Sequence, residues 1–247
     1  MLADFDARGI AFPIPVLTSS ELDDVRARYA QLVAAHGGQL RSFDRGHYFL
    51  DWAYDLVTHP RVVDTVASLL GEDVIVWGSL ILSKPPHDDA FIAWHQDGAY
   101  AGFLGDAPAV SAWIALSDST IESGCMRVVP GSQKIKLSHL EKADPRNMLS
   151  HGQEIAADVD ESAAVDVQLK AGEMSLHHVD IVHGSNPNRA NWWRTGFIVR
   201  YTTPRMLRAA TPVVIARGAA APHLPSITTR PSLPLDAALR AHRFGVR

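Results

Sequence analysis

Cysteine and long apolar segments are scarce in this sequence. Its 247 residues include one cysteine, Cys125, so no disulfide can form within the chain. The most apolar segment, VIVWGSLIL, lies between Asp73 and Lys84 and is far shorter than the roughly 18 residues that a membrane-spanning helix needs. We therefore expect neither a disulfide-stabilised fold nor a membrane-spanning segment.

Positive charge is also sparse and is not clustered. The formal net charge is -4, and no run of Lys and Arg offers the basic surface that nucleic acids or a coenzyme A diphosphate would require. The opening MLADFDARGI has neither the basic nor the apolar part of a secretory signal, so we expect a cytoplasmic location. A small-molecule metabolite is the partner that this composition favours, and it leaves the oligomeric state open.

The hydrophobic content is 47%, which allows a chain of this length to bury one large core as a single domain. The segment LTSSELDDVRARYAQLVAAHGG has apolar residues at helical spacing, and we expect a helix capped by Ser19 or Ser20. A second helix is predicted from about Pro60 to Leu70, ending at Gly71.

From Asp73 onward the pattern changes to short β-branched and aromatic runs separated by Pro, Gly and Asn. This pattern is typical of a many-stranded antiparallel β-domain. We expect a helical layer over about 1–72, a β core over about 73–204, and a tail over about 205–247 that is either a wrapping loop or partly disordered.

The stretch WHQD sets His95 and Asp97 two residues apart. If FIAWHQD is a strand, both side chains lie on one face and Gln96 on the other. One imidazole and one carboxylate are two parts of the ligand set of a non-haem iron, which needs a second histidine. Taken alone, the pair is equally well explained as an exposed pair near a turn.

The stretch SLHHVDIVHGSNPN contains a competing pair, His178 and Asp180, followed by His183. These three residues cannot share one strand face, because His183 has the opposite parity. We therefore favour His95, Asp97 and His183 as a metal-binding set. We expect His177, His178 and Asp180 to be structural or to support the ligands, and His151 to lie in a solvated loop.

An arginine, Arg194, follows the third ligand candidate, His183, after a turn. In HGSNPNRANWWRTGFIVRY, Ser185 has the strand parity of His183, a turn follows, and Arg194 begins the next apolar run. The planar guanidinium binds a carboxylate through two hydrogen bonds and would suit the distal carboxylate of 2-oxoglutarate. Taken alone, Arg194 is equally compatible with a surface position on a strand.

Several segments, in the same order, resemble the phytanoyl-CoA dioxygenase-like branch of the iron(II)- and 2-oxoglutarate-dependent oxygenases. The resemblance covers roughly Asp73 to Pro204 and rests on WHQDGAY, on SAWIALSDSTIESGCMRVVPGS and on LKAGEMSLHHVDIVHGSNPN. Gln133 departs from the family, which usually has a histidine after Pro-Gly-Ser.

The resemblance implies a mainly β fold, a double-stranded β-helix of the jelly-roll, cupin-like type with an N-terminal helical layer. It also implies Fe(II) as cofactor, with 2-oxoglutarate and O2 as cosubstrates. By resemblance the iron ligands are His95, Asp97 and His183, the cosubstrate is held by Arg194 and Ser185, and its pocket is lined by Trp113, Leu80 and Lys84.

The activity implied is hydroxylation of an unactivated C–H of a small metabolite, with decarboxylation of 2-oxoglutarate to succinate and CO2. Asp97 disfavours halogenation, because related halogenases have a small residue in its place. The alternative is a cupin-like metal-dependent isomerase or binding protein without oxygenase activity, which gives no reason for Arg194. The candidate rim of the substrate pocket comprises Trp94, Tyr100, Phe103, Met126, Trp192 and His47.

Overall fold

The computed structural model describes residues 4–100, 108–149, 153–206, 212–219 and 223–245. Its helices are α1 (Phe5–Arg8), α2 (Ser19–Ala35), α3 (Asp51–Val57), α4 (Pro60–Leu70) and α5 (Leu235–Gly245). Its strands are β1 (Ile10–Pro15), β2 (Ser42–Asp44), β3 (Val74–Lys84), β4 (Ile92–His95), β5 (Ala109–Ala115), β6 (Met126–Val128), β7 (His139–Glu141), β8 (Gln153–Ile155), β9 (Val165–Val167), β10 (Glu173–His178), β11 (His183–Ser185), β12 (Arg194–Thr202), β13 (Val213–Arg217) and β14 (Ser226–Ile227).

Two antiparallel sheets form the body of the fold. The larger has eight strands in the order β1-β10-β5-β12-β3-β13-β14, with β2 also paired to β3. The smaller has four strands in the order β4-β11-β6-β9. An apolar cluster that includes Trp113 and Ile198 from the larger sheet and Met126 and Val128 from the smaller sheet lies between them. This arrangement confirms the predicted jelly roll.

The helices cover the opposite face of the larger sheet. Strand alternation on β12 directs Phe197, Val199 and Tyr201 to this side, where they join a core that includes Leu32 of α2 and Val66 of α4. The predicted bounds of α4 are confirmed.

The N-cap of α2 is Thr18, so the expected cap at Ser19 or Ser20 is wrong. Thr18 is extended, and its hydroxyl accepts the Glu21 N–H while the Glu21 side chain accepts the Thr18 N–H. This reciprocal pair satisfies two of the backbone donors at the start of the helix.

Both ends of the chain contribute strands that the apolar pattern did not reveal. Strand β1, inside the expected helical layer, pairs with β10 at the edge of the larger sheet, where Pro13 and Pro15 are tolerated. In the tail, β13 pairs with β3 and α5 buries Ala238 and Leu239, so the described part is not the expected loop or disordered segment. Among the described residues, the helices are all too short or too polar to cross a membrane.

Candidate active site

A cavity of about 510 Å³ opens next to the two sheets and collects most of the predicted site residues. Strands β3, β5 and β12 of the larger sheet and β4 and β11 of the smaller sheet contribute to its wall. The wall includes Leu80, His95, Asp97, Trp113, Met126, His177, His183, Ser185, Arg194, Ile198 and Arg200.

The two predicted histidines face each other across paired strands. His183 of β11 is the register partner of His95 of β4, and their ring centroids are 4.0 Å apart. The strand expected through Asp97 is too long, because β4 ends at His95 and Asp97 begins a 3₁₀ turn. The turn still brings Oδ1 of Asp97 to 3.8 Å from Nε2 of His95. One potential ligand atom from each of the three residues lies within 4.8 Å of the others.

The two imidazoles are oriented in the same way. Nδ1 of His95 hydrogen-bonds the carbonyl oxygen of Ala93 at 2.9 Å, and Nδ1 of His183 that of Ile181 at 3.0 Å. A carbonyl can only accept, so each Nδ1 carries the proton and each Nε2 keeps a free lone pair. Burial lowers the pKa of both imidazoles, which favours the neutral form that binds metals.

Asp97 supplies the negative charge. Burial would raise the pKa of its carboxyl, but the Arg200 guanidinium and the nearby imidazoles hold it well below its usual range. Oδ2 accepts a hydrogen bond from Ser111 at 3.0 Å, and Nη2 of Arg200 lies 3.3 Å from Oδ1. Two neutral imidazoles and one carboxylate are the donor set that a divalent iron takes in non-haem oxygenases.

His178 and Asp180, the competing pair, make other hydrogen bonds. Nδ1 of His178 accepts the backbone N–H of Asp180 at 3.1 Å, which closes a local turn. The backbone carbonyl of Asp180 accepts the side-chain amide of Gln96. His177 differs from both, since it lines the cavity at 2% exposure with neither ring nitrogen hydrogen-bonded within the described residues.

Arg194 lies in the same cavity at the start of β12. Its Nη2 donates to the carbonyl of Gly124 at 2.8 Å, whereas Nε and Nη1 are buried and have no partner in the part of the chain that the structure describes. The guanidinium lies over the ring of Trp113 at 4.9 Å, and burial lowers its pKa to about 10. Buried donors without partners are costly, so this guanidinium is suited to bind an anion.

The tryptophan wall depends on a glycine. Gly196 lies under Trp113, and a Cβ at this position would be 2.1 Å from Cζ2 of the ring. No other residue leaves room for the indole at this place, so the glycine lets Trp113 lie flat between the strand and the Arg194 guanidinium.

A sequence model of the phytanoyl-CoA dioxygenase family matches residues 5–196, which is more than half of the chain. The chain belongs to this family of iron(II)- and 2-oxoglutarate-dependent oxygenases.

Two curated proteins are similar to this chain. The chain is 30% identical over 165 residues to a probable alpha-ketoglutarate-dependent hypophosphite dioxygenase of Stutzerimonas stutzeri, covering 66% of this chain and 57% of that protein. It is 26% identical over 231 residues to an L-proline trans-4-hydroxylase of Streptomyces griseoviridis, covering 86% of this chain and 83% of that protein. The chain thus spans little more than half the length of the first relative.

A solved structure is similar over the whole chain. It is that of ThoJ, described as a non-heme monooxygenase in its apo form. ThoJ is 36% identical, with a TM-score of 0.83, and the match covers 100% of this chain and 95% of that one.

Lys84, expected by family resemblance to line the pocket, lies behind it. Its side-chain amino group is fully buried and donates to Oγ of Ser185 at 2.7 Å and to the backbone carbonyls of Ser185 and Asn186. Burial and the nearby Arg194 lower its pKa to about 6. Because Oγ of Ser185 accepts from Lys84, the hydroxyl proton of Ser185 is left to donate into the cavity.

The expected substrate rim is only partly present. Met126 lines the cavity, whereas Trp94 lies on the opposite side of β4, where Arg127 stacks on it at 5.4 Å. Trp192 is 37% exposed and donates to the carbonyl of Asp118, and His47 is fully buried against Ser79. Strand alternation explains the position of Trp94, because the adjacent His95 is the residue that faces the cavity. Phe103 and His151 lie outside the described residues, as does the side chain of Tyr100.

Gln133, where this chain departs from the family pattern, lies away from the cavity. Its amide donates to the carbonyl of Asp6 at 3.0 Å and joins the N-terminal segment to the β core.

Some residues of the cavity were missed by the sequence reasoning. The strand period on β12 contained a usable signal, because Arg194, Gly196, Ile198 and Arg200 alternate on one face. Other missed residues of the cavity come from distant segments with no recognisable pattern: Ser42, Asp44, Arg45, Trp77, Met148 and Leu149.

Proposed function

We propose that this protein is an iron(II)- and 2-oxoglutarate-dependent oxygenase that hydroxylates an unactivated C–H of a small metabolite. In this reaction O2 is the oxidant, and 2-oxoglutarate is decarboxylated to succinate and CO2. The observation that carries the proposal is the placement of a buried two-histidine, one-carboxylate cluster and an arginine with unpaired N–H groups in one cavity.

His95, Asp97 and His183 would hold the iron. Each histidine has its Nδ1 proton fixed on a backbone carbonyl, so its Nε2 is available without rearrangement. Ser111 and Arg200 fix the Asp97 carboxylate from the outside. When bound, iron together with 2-oxoglutarate and O2 supplies an oxidant able to remove a hydrogen atom from an unactivated C–H.

Arg194 would bind the distal carboxylate of 2-oxoglutarate. Nη2 gives only one of its two hydrogens to Gly124, so its second N–H, together with the unpaired Nε or Nη1, can make two parallel hydrogen bonds to one carboxylate. Such hydrogen bonds are stronger than those between neutral groups. Ser185, held by Lys84, adds a hydroxyl donor, and Trp113 closes the side of the pocket. The protein's contribution is geometry and exclusion of water.

The similar proteins support oxygenation of a small molecule. The names of two relatives specify hypophosphite and L-proline as their substrates, and ThoJ is described as a monooxygenase. Asp97 favours hydroxylation over halogenation, because a carboxylate ligand occupies the position that a halide would need. We also propose that the chain folds as a single domain and acts in the cytoplasm.

Succinate formation tests this proposal. Purified protein with Fe(II), 2-oxoglutarate and O2 should form succinate, including slowly in the absence of the primary substrate. A cupin-like isomerase or binding protein would form none, so absence of succinate under all these conditions contradicts the proposal.

The first prediction concerns the ligand set. Replacing His95, Asp97 or His183 with alanine should abolish succinate formation and weaken iron binding, because each removes one of three protein bonds to the metal. His178→Ala is the matched control and should keep both, since His178 closes a local turn. Activity retained in His183→Ala and lost in His178→Ala would show that the ligand set is wrong.

A further inference from the structure

Strand β12 places two arginines at opposite ends of the same cavity. Arg194 and Arg200 have the same parity and both line the cavity, with Gly196 and Ile198 between them. Six residues of extended strand separate their Cα atoms by about 20 Å. 2-Oxoglutarate has only five carbons. A molecule of it held by Arg194 and by the metal is too short to extend past Arg200 as well.

The residues around Arg200 form a polar row across the larger sheet. Strand register aligns His177 of β10, Ser111 of β5, Arg200 of β12 and Gly78 of β3. Gly78 has no side chain, and the Arg200 side chain lies next to it, since a Cβ at Gly78 would be 3.8 Å from Cδ of Arg200. Ser111 donates to Asp97. Nε2 of His177 is 3.9 Å from Oδ2 of Asp97, and neither ring nitrogen of His177 has a hydrogen-bond partner within the described residues.

A third arginine reaches this part of the cavity from the helical layer. Arg45 follows β2 and lines the cavity, and its backbone has a φ of 50°, a left-handed conformation that is rare for a residue with a side chain. Its N–H donates to the carbonyl of Ser79 at 2.7 Å, which fixes the segment to β3. Its ion pair with Asp44 is loose, at 3.6 Å.

The ion pair with Asp97 does not use the whole Arg200 guanidinium. The contact uses Nη2 at 3.3 Å, and the guanidinium also lies over the Trp77 ring at 5.6 Å, with 23% of the side chain exposed. Among the described residues, Arg45 forms an ion pair with Asp44 and none with the three metal-ligand candidates. Two guanidinium groups and the buried imidazole of His177, which lies beside Asp97 without a hydrogen bond within the described residues, therefore line the part of the cavity away from Arg194.

We infer that the primary substrate carries an anionic oxygen group, a carboxylate or a phosphoryl group, bound by Arg45 and Arg200 with a ring nitrogen of His177 as an additional hydrogen-bond partner. The inference rests on the proposed function, because it assigns the Arg194 end to 2-oxoglutarate. Guanidinium groups bind such oxyanions by charge-assisted hydrogen bonds, and an uncharged amide of the same shape binds much less well.

Matched acid and amide probes test this assignment. Protein loaded anaerobically with Fe(II) and saturating 2-oxoglutarate is titrated with 3-phenylpropionate and 3-phenylpropanamide, with L-proline and L-prolinamide, and with inorganic phosphate. Binding is followed by tryptophan fluorescence, because Trp77 and Trp113 line the cavity. At least one acid should bind about tenfold or more tightly than its amide. Phosphate binding without a preference among the acids would assign the phosphoryl form of the group.

Variants locate the preference. It should disappear in Arg45→Gln and persist in Arg45→Lys, which keeps the charge. Arg189→Gln is the matched control, because Arg189 is an exposed arginine paired with Asp89 outside the cavity lining, and it should keep the preference.

The outcomes separate this inference from the proposed function. If the wild-type protein fails to bind Fe(II) and 2-oxoglutarate, the proposed function fails. If it binds both but prefers neither phosphate nor any acid over its amide, the substrate inference is overturned. An acid preference that survives both Arg45→Gln and Arg200→Gln overturns it as well.

Discussion

Gly196 and Trp113 show how narrowly single residues define the cosubstrate end of the cavity. A Cβ at Gly196 would lie 2.1 Å from the indole, so the ring must move in Gly196→Ala. Such overpacking costs about 1–3 kcal/mol of stability. We expect this loss in urea unfolding, together with weaker 2-oxoglutarate binding, because the displaced ring leaves the Arg194 guanidinium.

Gly78→Ala is the control for this second prediction. Its Cβ would lie 3.8 Å from the nearest atom, on the Arg200 side chain, which is an ordinary contact. Its free energy of unfolding should stay close to that of the wild type. A Gly196→Ala protein with wild-type stability and 2-oxoglutarate affinity would show that Trp113 does not form this wall.

At the residue scale, the sequence identified the residues that occur in motifs. His95 and Asp97 occur as a pair, and Arg194 follows His183 after a turn, so spacing and family resemblance were sufficient to nominate them. Arg45 could not be found in this way, because it reaches the cavity through the long-range pairing of β2 with β3. His177 was expected to be structural or to support the ligands, and the pairing of β10 with β5 brings it into the cavity beside Asp97.

At the scale of elements, Gln96 joins the metal-binding segment to its neighbours. Its side chain is buried, donates to the carbonyl of Ile135 at 2.8 Å and to that of Asp180, and accepts the N–H of Leu137 at 2.9 Å. Its backbone N–H donates to His139 at 3.0 Å. Gln96, which lies between the two ligand candidates, thus connects them to the segment that leads into β7.

The third prediction is that Gln96→Ala destabilises the protein by about 2–4 kcal/mol, because several buried backbone groups lose their partners. Iron affinity should fall as well, since His95 and Asp97 lose their common anchor. Gln133→Ala is the matched control, with one exposed hydrogen bond to Asp6. Equal free energies of unfolding for the two variants would show that Gln96 does not hold this segment.

Element boundaries were predictable where local chemistry sets them. Pro60 at the first turn and Gly71 after the last turn determine α4, and both are visible in the sequence. The end of β4 at His95 was not visible, because the 3₁₀ turn at Asp97 depends on tertiary contacts such as Gly98 N–H with the carbonyl of Val179. Strand β13 was missed for the same reason, since it is stable only when paired with β3.

At the scale of the whole molecule, buried neutral histidines make the metal-free protein sensitive to acid. Burial and the nearby Arg45 lower the pKa of His47 to about 3, and burial lowers the pKa of His95 and His183 in the same direction. The unfolded chain takes up protons near the ordinary histidine pKa of about 6.5, whereas the folded chain does not. Stability is therefore complete above about pH 6.5 and declines as the pH falls toward 3.

The fourth prediction follows from His47. Between pH 7 and pH 5, its protonation in the unfolded chain should cost the wild type about 2 kcal/mol of unfolding free energy. His47→Gln, which keeps a polar group beside Ser79 but does not titrate, should lose correspondingly less over this interval. Urea unfolding of the metal-free proteins at both pH values measures the difference. An equal loss in both proteins would mean that His47 is protonated in the folded state.

The central claim is that iron and 2-oxoglutarate bind in the same cavity and that Arg194 binds the distal carboxylate of 2-oxoglutarate. Anaerobic titration of the Fe(II)-loaded protein with 2-oxoglutarate, followed by its charge-transfer absorption band, tests it most directly. The wild type should develop the band, and Arg194→Lys should need roughly tenfold to a hundredfold more 2-oxoglutarate, because losing the two-pronged contact costs about 1.5–3 kcal/mol. Wild-type affinity in Arg194→Lys, or no band in the wild type, would contradict the claim.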